Sequence, residues 1–539
     1  MDATTAPQIE TPDTGPGSGP LVYLETFGCQ MNVLDSQLVT GQLRGLGYRF
    51  TDDWMSADVV LYNTCSVREV AENKVWSRVG KVGRHKRERP EVILGVIGCM
   101  AERDGEDLMR RHPQVDLMCG PGELDKLPML IDNQLKTQLC DRGGDTGPRM
   151  ALQGGSSRRS GTLAAAEDQL ELVDLSRAFA GDDTRAAGRS AYVRVTRGCN
   201  KLCTYCVVPH TRGAEVHRPP SHIFEECRKL VEAGVIEITL LGQTVNHYHY
   251  DTAAAVEANG VLQPQVGTVI HPNVGTGGES PVFNDTTVSF ANLLRKIHDG
   301  LPGLQRLRFI TSFPRDFGND ILEAIRDCPR ICRYLHLPVQ SGSDRVLAKM
   351  NRGYRVADYR DLILRVRDIL PDAMLATDII CGFPGETEED HQKTAELLEW
   401  CRFKNSFIFK YSPRPGTVAF DRLADDIPND VKKRRNNELI DLQNRISREV
   451  HGTQVGKTFE VFVEGVSRRT AKSVDGAAPG SAAVSLGWEQ PREMTQLSGR
   501  TSGDLITVFD GTEDLIGQVV TVQVTGAGGL VLSGVQVGG

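Results

Sequence analysis

No run in this chain approaches the ~18 consecutive apolar residues that a membrane span requires, so no segment is expected to cross a bilayer. A basic start followed by an apolar stretch is also missing. Residues 1–20 (MDATTAPQIETPDTGPGSGP) are acidic and rich in Pro, Gly and Thr, and read as a disordered leader rather than a signal peptide. Without a secretion signal, the 13 cysteines argue against a disulfide framework; they fit metal binding in a reducing cytoplasm, the expected compartment. A positive surplus is absent too, the net charge being −8, which counts against a strongly basic nucleic-acid binder but leaves room for local phosphate contact. Candidate patches are 78–89, 349–355, 432–435 and 467–472, although each alone reads better as a solvated surface.

What is present is a set of cysteines with informative spacing. Cys199, Cys203 and Cys206 stand in RGCNKLCTYC as C-x3-C-x2-C, directly after the apolar stretch 191–195. Three thiolates on one loop can hold three irons of a [4Fe–4S] cluster and leave the fourth iron open, the condition for a reactive centre. A zinc loop is the competing reading. Zinc loops favour paired C-x2-C motifs or Cys with His at finger spacing, and neither occurs here.

Three further cysteines each close a β-like apolar run: LVYLETFGC at Cys29, VVLYNTC at Cys65 and VILGVIGC at Cys99. In an open α/β sheet, ligands collect beyond the carboxyl ends of parallel strands, so these thiols are expected to converge despite their separation in sequence. Any one alone would pass for a core thiol. Together they read as ligands of a second cluster with an open iron. The other seven cysteines are taken as ordinary thiols.

The segments around these cysteines resemble the radical S-adenosylmethionine (SAM) methylthiotransferases. The resemblance is carried by GCQMNVLDSQ (28–37), NTCSVRE (63–69), GCMAER (98–103), GCNKLCTYCVVPHTRG (198–213), LHLPVQSGSDRVLAKMNRGY (335–354), DIICGFPGETEED (378–390) and YSPRPGT (411–417). It implies two [4Fe–4S] clusters and SAM bound at the open iron of the Cys199 loop. One-electron reduction there yields a 5′-deoxyadenosyl radical. The implied reaction is methylthiolation of C2 of an N6-isopentenylated adenosine next to the anticodon. The alternatives are threonylcarbamoyl-adenosine or a ribosomal-protein aspartate as substrate, or a non-catalytic, metal-containing RNA-binding protein. Implied partners are a tRNA anticodon stem-loop, an external electron donor and a supplier of sulfur or clusters.

For SAM, the resemblance points to Tyr205 along the adenine and to Gly242 and Gln243, where a Gly-Gly-Glu is usual. Gln340, Ser341 and Asp378 are polar strand-end candidates, although each can equally cap the helix that follows. Phe313 stands where the family carries His.

A length of 539 residues suggests roughly three or four domains. Residues 21–140 alternate strand-like and helical stretches as a small doubly wound sheet; 141–190 read as a linker. Residues 191–425 hold six strand candidates, an open six-unit (βα) barrel with Cys199, Gln243, Ser312, Gln340 and Gly382 at strand ends. An insertion at 250–288 interrupts it, with His247 and His249 at its edge expected to be solvated. A connecting helix (426–452) leads to 453–539, a small antiparallel β-barrel resembling the RNA-binding TRAM module, with a flexible loop at 471–496. The fold class is therefore α/β multidomain.

Overall fold

The computed structural model describes residues 19–66, 69–139, 148–152, 174, 189–258, 261–267, 285–467 and 494–538. Residues 1–18 of the leader, most of the 141–190 segment and the 471–493 part of the loop expected at 471–496 lie outside them. Two compact units are present. Among the described residues, no helix is long and apolar enough to cross a membrane.

The first unit contains β1 (Leu21–Thr26), α1 (Gln30–Gly45), β2 (Arg49–Phe50), β3 (Val59–Thr64), α2 (Glu69–His85), β4 (Ile93–Gly98), α3 (Cys99–Arg111), β5 (Leu117–Cys119), α4 (Leu127–Leu139) and β6 (Met150–Ala151). The six strands form one parallel sheet in the order β2-β1-β3-β4-β5-β6. β3 (VVLYNT) and β4 (ILGVIG) are buried along their whole length, as strands covered by helices on both faces must be. Gly95 in β4 makes room for the side chains of the neighbouring strands: a Cβ there would lie 2.6 Å from Leu61 and 2.7 Å from Leu117. β6 comes from the segment read as linker, so the sheet takes one more strand than residues 21–140 contain.

The second unit begins with β7 (Ser190–Arg194), β8 (Thr196–Arg197), β9 (Val216–His217), α5 (Pro220–Glu232) and β10 (Glu237–Leu241). The inserted region holds β11 (His249–Asp251), β12 (Glu257–Ala258), β13 (Val261–Leu262), β14 (Gln265–Val266) and β15 (Thr287–Ser289). The chain continues through α6 (Phe290–Gly300), β16 (Arg306–Ile310), α7 (Asn319–Asp327), β17 (Tyr334–His336), α8 (Asp344–Lys349), α9 (Val356–Ile369), β18 (Met374–Cys381), α10 (Glu388–Cys401), β19 (Asn405–Lys410) and α11 (Asn429–Gly452). Parallel ladders β7-β10-β16 and β17-β18-β19 meet through the bridge Leu307–Ile331, giving six strands in chain order. Among the described residues β7 and β19 do not pair, so the (βα) barrel is open, as expected.

β20 (Thr458–Val466), β21 (Thr495–Thr501), β22 (Ile506–Gly511), β23 (Val519–Ala527) and β24 (Val531–Gln536) close a five-stranded barrel in the order β20-β21-β22-β24-β23. The run 497–511 (LSGRTSGDLITVFDG), which reads as one strand, turns back at Ser502–Leu505, where Asp504 adopts φ 60°. This barrel packs on residues at the amino-terminal ends of the (βα) strands. Arg306 donates to the carbonyls of Arg500 and Glu460, both at 2.6 Å. Arg308 reaches the carbonyl of Thr501 at 2.6 Å and Glu237 at 2.8 Å, and Lys404 pairs with Asp504 at 2.7 Å.

Candidate cluster and SAM sites

In the first unit, the cysteines leave three adjacent strands at one level. Asn63 of β3 pairs in register with Thr26 of β1 and Ile97 of β4, so Cys29, Cys65 and Cys99 follow together at the carboxyl edge. The order β2-β1-β3 makes the β1–β3 gap the switch point of the sheet, where open α/β sheets bind ligands. Gly28, at φ 140°, brings the first loop against the second: a Cβ there would lie 2.5 Å from Cβ of Cys65.

Two buried asparagines brace this edge. Asn32 donates to Oδ1 of Asn63 and to the carbonyl of Thr64, both at 3.0 Å. Asn63 returns bonds to the carbonyl of Asn32 at 2.8 Å and to Ser36 Oγ at 2.9 Å. The Cys29 thiol lies 3.3 Å from Oδ1 of Asn32. Neither asparagine was singled out by spacing; the signal was their place beside each cysteine, in GCQMN and YNTC.

In the second unit, Cys199, Cys203 and Cys206 lie on the loop after β7 and β8. Gly198 (φ 68°) permits the turn, since a Cβ would meet the carbonyl of Ala214 at 2.0 Å. Asn200 ties the loop to Glu215 N–H at 2.9 Å and to the carbonyl of Gly267 at 2.9 Å. Residues 349–352 clamp the other side. Thr204 bonds to the carbonyls of Met350 and Lys349, and Asn351 to that of Leu202. Arg352 is buried; it donates to Sγ of Cys203 at 3.4 Å, to the Tyr205 hydroxyl at 3.3 Å and to the carbonyl of Pro338 at 2.7 Å.

Burial pushes the Cys199 thiol well up, and Glu215, Cys206 and Cys203 add to the effect. A buried thiol that resists ionisation alone is stabilised as a thiolate by a metal centre. All six cysteines are free of disulfides, so the donor sets fit the clusters the resemblance implies.

The SAM candidates divide. Gln243 follows β10 with its Oε1 buried and, among the described residues, without a hydrogen-bond partner. Thr196 Oγ1 is in the same condition, and it lies where a Cβ on Gly242 would come within 2.1 Å. Two orphaned oxygens beside a glycine are what a polar ligand at these strand ends would satisfy. Gln340 adopts φ 76°, and its backbone bonds to Asp378 and Ile380. Asp378 is paired with His336 Nε2 at 3.0 Å. The Ser341 hydroxyl is 3.4 Å from Thr394 and accepts from the Ser343 N–H at 3.2 Å, which gives it a bracing contact toward α10. Tyr205 packs edge-on to Phe383. Phe313 is a platform for cations, with Arg352 at 4.5 Å and Lys201 at 5.1 Å from its ring centre.

The basic patches are partly spent within the chain. In 432–435, Lys432 pairs with Asp425, Arg434 with Glu388 and Arg435 with Glu386. In 349–355 Arg352 serves the cysteine loop, and in 78–89 Arg78, Lys86 and Arg89 meet Glu25, Asp116 and Glu91. Residues 468–472 lie outside the described residues. The C-terminal barrel carries a cleft of about 1090 Å³ lined by Asn444, Arg448, Gln496, Ser498, Arg500 and Ile506, among others.

Residues 21–120 match the uncharacterized protein family UPF0004, and residues 193–398 match the radical SAM superfamily. The chain is 43% identical over 504 residues to tRNA-2-methylthio-N(6)-dimethylallyladenosine synthase of Rhodopirellula baltica, covering 93% of this chain and 92% of that one. It is 37% identical over 518 residues to the synthase of the same name from Bacteroides fragilis, covering 96% and 95%. A solved structure with similarity is the radical SAM methyltransferase TsrM of Kitasatospora setae (TM-score 0.49, 14% identity, 75% of this chain and 77% of that one).

Proposed function

The chain belongs to the radical SAM methylthiotransferases, in the branch of the tRNA-2-methylthio-N(6)-dimethylallyladenosine synthases, and from that membership we infer that it methylthiolates C2 of N6-isopentenyl-adenosine in tRNA. The observation that carries the chemistry is the gathering of Cys199, Cys203 and Cys206 on one partly buried loop at the strand ends, with no fourth thiol in that loop. No side chain can take a proton from adenine C2 at neutral pH, so the hard step belongs to a cofactor. When bound, a [4Fe–4S] cluster with SAM supplies the hydrogen-abstracting chemistry, and a second cluster supplies the sulfur.

The chain's own residues hold and position these groups. Cys199, Cys203 and Cys206 are the ligands of the SAM-binding cluster. Gly242 lets a ligand approach the backbone, and Gln243 Oε1 accepts a hydrogen bond from the SAM amino group. Arg352 places a buried positive charge beside Cys203 and orients Tyr205. Cys29, Cys65 and Cys99 ligate the second cluster, with Asn32 and Asn63 fixing the loops that carry them. The C-terminal barrel, through the cleft around Arg448, contacts the tRNA backbone, while the anticodon loop presents an unstacked base. The reaction draws on an external electron donor and a supplier of sulfur, and the place of work is the cytoplasm, where tRNA is modified.

The test is mass spectrometry of tRNA nucleosides from a strain lacking this protein. The expected result is loss of 2-methylthio-N6-isopentenyladenosine with accumulation of its isopentenyl precursor. Loss of the methylthiolated threonylcarbamoyl nucleoside instead would assign the protein to another substrate.

A further inference from the structure

We propose that His217, His247 and His249 form a site for a divalent transition ion of the zinc class, separate from the cysteine loops. The three imidazoles come from different backbone segments: β9, the 3-10 turn Val245–His247 after β10, and β11 at the start of the insertion. Each offers one ring nitrogen, and these nitrogens lie within 4.8 Å of one another. Three imidazoles on a tetrahedral zinc, with Zn–N of ~2.0–2.1 Å, bring their ring centres about 5 Å apart. Here the centres are 4.4, 5.5 and 5.9 Å apart, and the rings are 74° to 83° to one another. Closing onto an ion therefore takes only a small movement.

The surroundings are those of ligating histidines. Such rings use one nitrogen for the metal and turn the other to a carboxylate or carbonyl. Glu215, fully buried, places a carboxylate oxygen 2.6 Å from Nδ1 of His247, and His217 turns Nδ1 to the carbonyl of His249 at 2.6 Å, with its Nε2 on the other side 3.2 Å from the same carboxylate. His249 turns Nδ1 to the carbonyl of His247 at 2.9 Å. Nε2 of His247 is buried and, among the described residues, has no partner. An orphaned buried ring nitrogen is unfavourable, and an ion on that lone pair would satisfy it. Gly267 leaves room at the third ring, since a Cβ there would come 2.6 Å from Nε2 of His217. His249 is only half-buried and gives an entry path. No sulfur is in the set, and all-imidazole donors suit zinc, copper, iron or nickel; the tetrahedral spread favours zinc.

The ion would pin β11 to β9, and Glu215 carries the connection on to Asn200 beside Cys199. It is a structural pin at the insertion, with no electron transfer required.

The test uses the full-length protein with its clusters reconstituted, incubated with a zinc salt and then desalted against a mild chelator. Zinc and iron are counted by plasma mass spectrometry, and the zinc environment is read by X-ray absorption. About one zinc per chain is expected to remain, with a nitrogen/oxygen shell at about 2.0 Å and imidazole scattering. The double variant His247→Gln/His249→Gln should bind zinc roughly tenfold or more weakly with its iron unchanged. If the variant misfolds and loses iron, the spectrum of the unaltered protein decides alone. No retained zinc, equal retention by a folded variant, or a sulfur shell near ~2.3 Å overturns the proposal.

Discussion

The guanidinium of Arg352 lies 3.4 Å from Sγ of Cys203, buried, with its cation over the ring of Phe313 at 4.5 Å. A fixed positive charge and an N–H bond at a cluster ligand both favour the reduced, more negative state of the cluster. Arg352→Met should therefore keep the iron but shift the potential of the SAM-binding cluster by on the order of 100 mV to more negative values. A redox titration followed by electron paramagnetic resonance measures this. An unchanged potential would reduce Arg352 to a packing residue, and Arg352→Lys should retain part of the effect.

Replacing Cys199, Cys203 and Cys206 together with Ala should halve the iron from about eight per chain and abolish SAM cleavage. Replacing Cys29, Cys65 and Cys99 should also halve it, but spare SAM cleavage and stop methylthiolation. Formation of 5′-deoxyadenosine by the first variant would refute the assignment.

Asn63→Ala removes the carboxamide that bonds Asn32 Nδ2, the carbonyl of Asn32 and Ser36 Oγ, while Asn32 keeps the carbonyl of Thr64 and Ser36 keeps Thr26. Losing a buried hydrogen bond whose partners stay otherwise paired costs about 0.5–1.5 kcal/mol each. The first unit should lose stability by that order, and iron should fall toward the number held by the Cys199 loop alone. Full iron with unaltered thermal unfolding would show that the asparagine pair does not support the cysteine edge.

Arg448 lies on the barrel cleft, with Nε on the carbonyl of Asn444 and no carboxylate partner among the bonds it makes with described residues. Arg448→Ala should weaken tRNA binding uniformly and reduce the slope of log K against log salt by about 1. Titrations at several salt concentrations measure both. An unchanged slope would move the phosphate contact elsewhere.

Burial pushes Lys404 down to about 8, even though Asp504 opposes the shift. The unfolded chain holds this proton to about pH 10.4. Between these values the unfolded state binds more protons, so the contribution of Lys404 to stability rises with pH; below about 8 the buried charge counts against the folded state. The difference in thermal unfolding midpoint between the natural protein and Lys404→Met should accordingly move in favour of the natural protein from pH 7.5 to 9.5. Parallel midpoints across that range would contradict it.

Local pattern was enough for the elements and for the cysteines. Strand-ending apolar runs, a three-residue/two-residue Cys spacing and alternating β/α stretches are consequences of backbone periodicity, which is written residue by residue. That is why the six barrel strands and the strand-end placement of both cysteine sets were legible, and why the five-stranded barrel was too, apart from the turn at Asp504. Contacts between distant segments were not legible. Arg352 reads as part of a basic patch, yet 149 residues from Cys203 it becomes a buried donor to that thiol. Ser341 reads as a strand-end polar group and is turned toward Thr394. His247 and His249 read as a solvated loop pair, and only the packing of β9 against the insertion adds His217 and Glu215 and buries His247. Charge in a sequence carries no sign of its partner; desolvation, and the tertiary packing that imposes it, decides whether an arginine meets a phosphate, a thiol or a backbone carbonyl.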